Sequence, residues 1–247
     1  MATKALRRFE QRIDSYNTDL ELCDLLVRQL FAKQNSVENL AVALGGTAER
    51  YPYIGRRSNN KQSRDVCGAH LKHTLLTAFV KDVFEDFSAF IAETMTKAAL
   101  KGVNPQRFVG DVKLDLSAAE ILGSGSWDSA VRLVSDSIFR KLENERKTRD
   151  LIQKASVRLG LNVDNGILND AMPYLDARHI LVHRDGKADE LYTRDYPGIA
   201  LRNEKIVVDY NFASQTRTTV RALAQHLDEL IIAADLVRPQ DLSGQRG

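Results

Sequence analysis

Residues 71–100 read LKHTLLTAFVKDVFEDFSAFIAETMTKAAL. Leu71, Leu75, Phe79, Val83, Phe87 and Phe90 recur at steps of three and four, and Leu76, Val80, Phe84 and Ile91 widen the stripe. Apolar residues at that period form one face of a helix, and a run this long predicts a helix whose phenylalanine face lies in a core. Upstream, Leu6, Phe9, Ile13, Tyr16, Leu20, Leu25 and Leu26 predict a helix over 6–34, with Asn17 and Thr18 as a break. A second helix is expected over 36–44, capped by Ser36 and stopped by Gly45 and Gly46. Downstream, helical spacing recurs over 127–142, 146–159, 172–183 and 215–236. Strand signal is confined to a brief alternation over 107–116 and to 198–212, which reads as a hairpin turning at Arg202–Lys205. The expected fold is mainly α: a helical bundle with a small β-hairpin insertion. With no proline-rich linker and no repeat, a single domain over 1–236 is expected, followed by a flexible tail over 237–247.

The chain has 247 residues, 43% hydrophobic and 28% charged, enough for one large domain or two small ones. Its 35 Lys and Arg against 33 Asp and Glu give a net charge of +2, which excludes a histone-like binder but permits a local basic surface. Cys23 and Cys67 are too few for a disulfide framework or a four-cysteine zinc site, and point to a reducing, cytoplasmic setting. No apolar run approaches 18 residues, and the first residues turn charged at once, so neither a membrane nor a secretory role is expected.

The segment 173–192, PYLDARHILVHRDGKADELY, carries the most chemistry. Pro173 suits the first turn of a helix and Gly186 its end. At 100° per residue Arg178 falls between Tyr174 and Leu181 on the apolar stripe, where a hydrophobe belongs. A guanidinium there must meet a carboxylate, a phosphate or a carbonyl. His183 lies about 140° further round, so one helix does not bring the two groups together. A structural arginine–carboxylate pair with a helix-end histidine fits this spacing as well as a catalytic pair does.

Arg178-x4-His183, with the polar His179 after the arginine, resembles the Arg-x4–6-His motif of the HEPN (higher eukaryotes and prokaryotes nucleotide-binding) ribonuclease superfamily. The helix over 71–100 with Glu85 in its stripe, the HRDG ending, the hairpin LRNEKIVVDYNF and a closing helix resemble the group common in bacterial conflict and anti-phage systems. The likeness covers roughly residues 70–236. It implies a helical bundle that dimerises with the two motifs facing across the two-fold axis, and a metal-independent endoribonuclease without cofactor, acting as a toxin or defence effector beside an antitoxin or defence partner protein. By carry-over, His183 is the general acid or base, Arg178 holds the scissile phosphate, His179 orients or polarises its neighbours, and Glu85 anchors Arg178, with Asp82 and Asp86 as alternatives. Imidazole titrating near neutral pH and a planar guanidinium matching phosphate suit those roles. The alternative is a HEPN domain without activity that binds RNA or nucleotide, or regulates a partner.

Two histidine arrangements have metal-like spacing. His179-x3-His183 has the i, i+4 spacing of two zinc ligands but lacks the glutamate of hydrolytic zinc helices, Ile180 standing there. Cys67, His70 and His73 sit three apart without a fourth ligand, and also fit the exposed start of a helix. No metal is expected at either. Gly123-Ser-Gly-Ser126 lacks the lysine of a phosphate loop and reads as a turn with a cap. Segment 50–64, RYPYIGRRSNNKQSR, has no acidic residue and places Arg56, Arg57, Lys61 and Arg64 near Tyr53. That pattern suits single-stranded RNA, or a solvated loop; Arg184 is a further candidate contact. The run from Arg140 to Arg149 mixes Glu143 and Glu145 with its cations and reads as a solvated helix face.

Overall fold

The computed structural model describes residues 1–144 and 147–244. In chain order its elements are α1 (Lys4–Ala32), α2 (Leu40–Ala43), α3 (Pro52–Gly55), α4 (Lys61–Lys101), α5 (Pro105–Val109), α6 (Ala118–Leu122), α7 (Trp127–Glu143), α8 (Thr148–Leu159), α9 (Asn165–His183), α10 (Glu190–Asp195), β1 (Leu201–Arg202), β2 (Lys205–Ile206) and α11 (Tyr210–Ala233), then a 3-10 turn over Pro239–Asp241. The mainly-α class and the small hairpin of the sequence reading are present. Where the sequence offers one domain, the chain gathers into two compact units. One comprises Met1–Ile13, Val80–Val207 and the chain from Ser214 on; the other comprises Asp14–Phe79 and Val208–Ala213.

In the first unit the phenylalanine stripe is core. Phe87 and Phe90 pack against Phe9 with ring centroids 6.1 and 5.9 Å apart, and Val83, Phe87 and Met95 are fully buried. α8 packs against α5, α7 and α9. Ser126 caps α7 through the Ser129 amide, so the Gly123–Ser126 turn ends in the expected serine cap. In the second unit Tyr16 meets Phe79 edge-on at 6.3 Å, and Gly68 lets α4 approach Val27 and Phe31 so closely that a Cβ would sit 3.1–3.2 Å from them.

Several expectations are corrected. α1 runs unbroken through Asn17 and Thr18, and the Thr18 hydroxyl donates to the Asp14 carbonyl one turn back, inside the helix. Ser36 accepts from the Asn59 amide instead of capping a helix, and Asn39 caps the much shorter α2. α4 begins ten residues before the stripe does; 61–70 is too polar for the period to show, so Cys67, His70 and His73 lie inside a helix and not at its start. Residues 107–116 form no strand: Asn104 caps Arg107 and Pro105 opens α5, and a cap with proline at the first position outweighs a short alternation. Pro173 lies inside α9, which starts at Asn165 under an Asp164 cap. Residues 237–244 pack instead of fraying. Val237 and Asp241 are buried, Leu242 bridges Thr3, and the Ser243 amide donates to the Ala2 carbonyl. Of the tail, residues 245–247 lie outside the described residues, as do Glu145 and Arg146 of the mixed-charge run.

Candidate functional site

The site is built on the last two turns of α9 and stays within the first unit. Leu175, Ala177, Ile180 and Leu181 point inward and fix the rotation of the helix. That rotation leaves Arg178 half-buried at the edge of the core, with its side chain 30% exposed, while His179 and His183 face solvent. The carboxylate that Arg178 needs comes from α4: its Nη2 donates to Glu85 Oε1 at 2.7 Å. Phe84 supplies a second hold, its ring centroid 5.0 Å from the guanidinium carbon. The arginine is clamped between a charge and an aromatic face, and its Nε is buried without a partner among the described residues.

His179 and His183, one turn apart, bring their rings to 4.9 Å. Of the two alternative anchors, Asp86 is buried and paired with Arg12 of α1. Asp82 takes no part in the clamp; desolvation, followed by the charges of Asp86 and Glu85, raises its carboxyl above the ordinary value.

What fixes the end of α9 is the hairpin. After His183 the chain turns with Asp185 and Gly186 both at positive φ, 51° and 77°, and the Gly186 amide returns to the Ile180 carbonyl at 3.1 Å. The Gly186 carbonyl then accepts the Ile206 amide, and Lys187 bridges Lys205, so β2 is stitched to the segment that follows the motif. Lys205 pairs with Asp185 across this junction, and Arg184 pairs with Asp189 at 3.0 Å. Arg184 thus keeps an exposed side chain with its own counter-ion.

A polar cluster sits behind the motif on the same helix. Asp176 accepts from the hydroxyl of Tyr196, the residue that follows α10, at 2.5 Å, and Tyr192 of α10 donates to the Pro173 carbonyl at 2.8 Å. Burial raises the Asp176 carboxyl above its ordinary value, against the opposing hydrogen bonds of Tyr196 and Thr148 and the charge of Arg149. Burial, and then the Asp176 bond, push the Tyr196 phenol well above the usual range.

The basic segment belongs to the second unit, and the structure divides it. Tyr53 is 83% exposed on α3, with Arg56 over its ring at 5.6 Å, and Arg57 and Lys61 are exposed. Arg64 is not a surface contact. It is buried and donates to Asn59 and Asn35 at 2.8 Å each, bonds that tie the loop 33–60 to α4.

The sequence does not mark Phe84 as the partner of Arg178, because an aromatic at core spacing reads as core. Nor does it mark the bond from hairpin to motif, which no local pattern encodes. Among the described residues no group of three or more His, Cys, Asp or Glu is placed to hold a metal ion. No helix among them is long and apolar enough to cross a membrane. No family model, curated protein or solved structure matches the chain.

Proposed function

We propose that the chain is a metal-independent endoribonuclease of the HEPN type, cutting RNA with Arg178 and His183 as a homodimer, in the role of a toxin or anti-phage effector. The observation that carries this reading is the end of α9: a guanidinium held by Glu85 and Phe84 beside two solvent-facing imidazoles. An imidazole takes the proton of the RNA 2′-hydroxyl, the 2′-oxygen bonds to phosphorus, and the bond from phosphorus to the 5′-oxygen breaks. An imidazolium returns a proton to that oxygen, and Arg178 stabilises the charge on the phosphoryl oxygens. Arg178 and His183 diverge by about 140° on α9, so two copies of the helix around a two-fold axis would complete the groove and supply separate histidines for acid and base.

A second reading, an idle domain that binds RNA or nucleotide or regulates a partner, is favoured by one feature: Glu85 already occupies Nη2 of Arg178. The two readings separate when purified protein is incubated with mixed RNA in excess chelator. The ribonuclease reading predicts fragments with 2′,3′-cyclic phosphate and 5′-hydroxyl ends, and intact DNA. Uncut RNA, or cleavage abolished by chelator and restored by metal, contradicts it.

A further inference from the structure

α5 and α8 cap each other with arginines. Arg107 of α5 donates to the Arg158 and Leu159 carbonyls at the end of α8, at 3.2 and 3.0 Å. Arg158 of α8 returns the arrangement, its Nη1 donating to the Phe108 and Val109 carbonyls at 2.8 and 2.6 Å. Two glycines admit these guanidiniums. A Cβ on Gly110 would lie 2.7 Å from Arg158 Nη1, and one on Gly160 would collide with Arg107 Nη1. Both glycines also have positive φ, 57° and 73°.

Carbonyls satisfy hydrogen bonds but do not neutralise charge. The carboxylate beside Arg158 is Asp111, at 3.5 Å, and its side chain is wholly exposed while that of Arg158 is 10% exposed. A buried cation with so loose a counter-ion favours an incoming anion. Lys141 of α7, which also pairs with Asp115, and Lys154 of α8 line the same cavity of about 440 Å³. That volume is in the range of small-ligand sites. Its other wall is apolar, from Val112 and from Val157, a valine 66% exposed. None of these residues belongs to the Arg178–His183 site.

We propose that this cavity binds a small organic phosphate, its phosphates on Arg158, Lys141 and Lys154 and its apolar body on Val112 and Val157. Guanidinium and ammonium groups both recognise phosphate; Nη1 of Arg158 is held by the Phe108 and Val109 carbonyls, so Nη2, the nitrogen beside Asp111, is the one that meets the ligand. ATP is the probe, measured by calorimetric titration of the full chain. Wild-type protein should bind ATP, more weakly at high salt, and the exposed double variant Lys141→Glu/Lys154→Glu should bind about tenfold or more weakly. Val157→Ala should weaken ATP alone. His183→Ala should bind as the wild type does, which separates this proposal from the ribonuclease reading. Absence of ATP binding, equal binding by the lysine variant, or equal binding of adenosine would overturn the phosphate site. Inorganic triphosphate binding as tightly as ATP would overturn the organic part. A short RNA displacing ATP at equal concentration would replace a small ligand by a strand.

Discussion

Arg64 and Arg56 stand eight residues apart in one basic segment, yet their surroundings set opposite roles. Arg64→Ala removes two hydrogen bonds from a buried cation and leaves the Asn59 and Asn35 carbonyl groups short of a donor, so it should cost about 2–3 kcal/mol in denaturant unfolding. Arg56→Ala, at an exposed position, should stay within about 0.5 kcal/mol. Composition alone cannot separate the two, because burial of Arg64 depends on asparagines from elsewhere in the loop. Arg178 was legible for the opposite reason: it stands on an apolar stripe where a cation requires a partner, and Glu85 on the facing stripe was a candidate. Asp176 is not legible from sequence, since its partner Tyr196 follows a short helix with almost no apolar period. Burial raises the Asp176 carboxyl, so the folded chain keeps a proton that the unfolded chain releases near the ordinary value of 3.8. Its contribution to stability is therefore fullest in acid and falls as pH rises from that value toward the raised one. Asp176→Asn, which still accepts the Tyr196 hydroxyl, should flatten this part of the stability–pH curve without loss of stability at neutral pH. An unchanged slope in unfolding experiments between pH 4 and 7 would contradict the assignment.

Elements were read best where period and caps agree. The stripe of α4 fixed its face from sequence, and the hairpin turn was placed at Arg202–Lys205, where β1 and β2 do pair, Arg202 opposite Lys205. Short elements failed because their signals are local and weak: α5 competed with an alternation of the same length, and α10 depends on the Asp189 cap more than on any apolar face. The hairpin turn carries a measurable strain. Asn203 and Glu204 have φ of 50° and 61°, the left-handed pair of a type I′ turn, in which glycine is favoured at the second position. A side chain there costs about 1–2 kcal/mol, and glycine costs about 0.5–1 kcal/mol in chain entropy. The exposed Lys187–Glu204 pair that would be lost contributes little. Glu204→Gly should therefore raise stability by roughly 0.5 kcal/mol, read as a small upward shift of Tm. A clear drop in Tm would show that the ion pair, and not the turn geometry, holds the hairpin.

Across the whole molecule a net charge of +2 conceals positive charge in two settings: an exposed cluster at Arg56, Arg57 and Lys61, and a clamped, half-buried guanidinium at Arg178. Fold class was legible because helix period and the lack of strand signal repeat along the chain. The division into two units leaves little local mark, because three of its four boundaries, at 13–14, 79–80 and 213–214, fall inside helices. Cleavage of RNA at the end of α9, as proposed above, is checked by single-turnover kinetics of wild-type protein and of His183→Ala. His183 is exposed, so the variant should melt as the wild type does. Its cleavage rate should be lower by about 10²–10⁴-fold, the usual contribution of one proton-transfer group. A folded His183→Ala protein cutting RNA at the wild-type rate would contradict it.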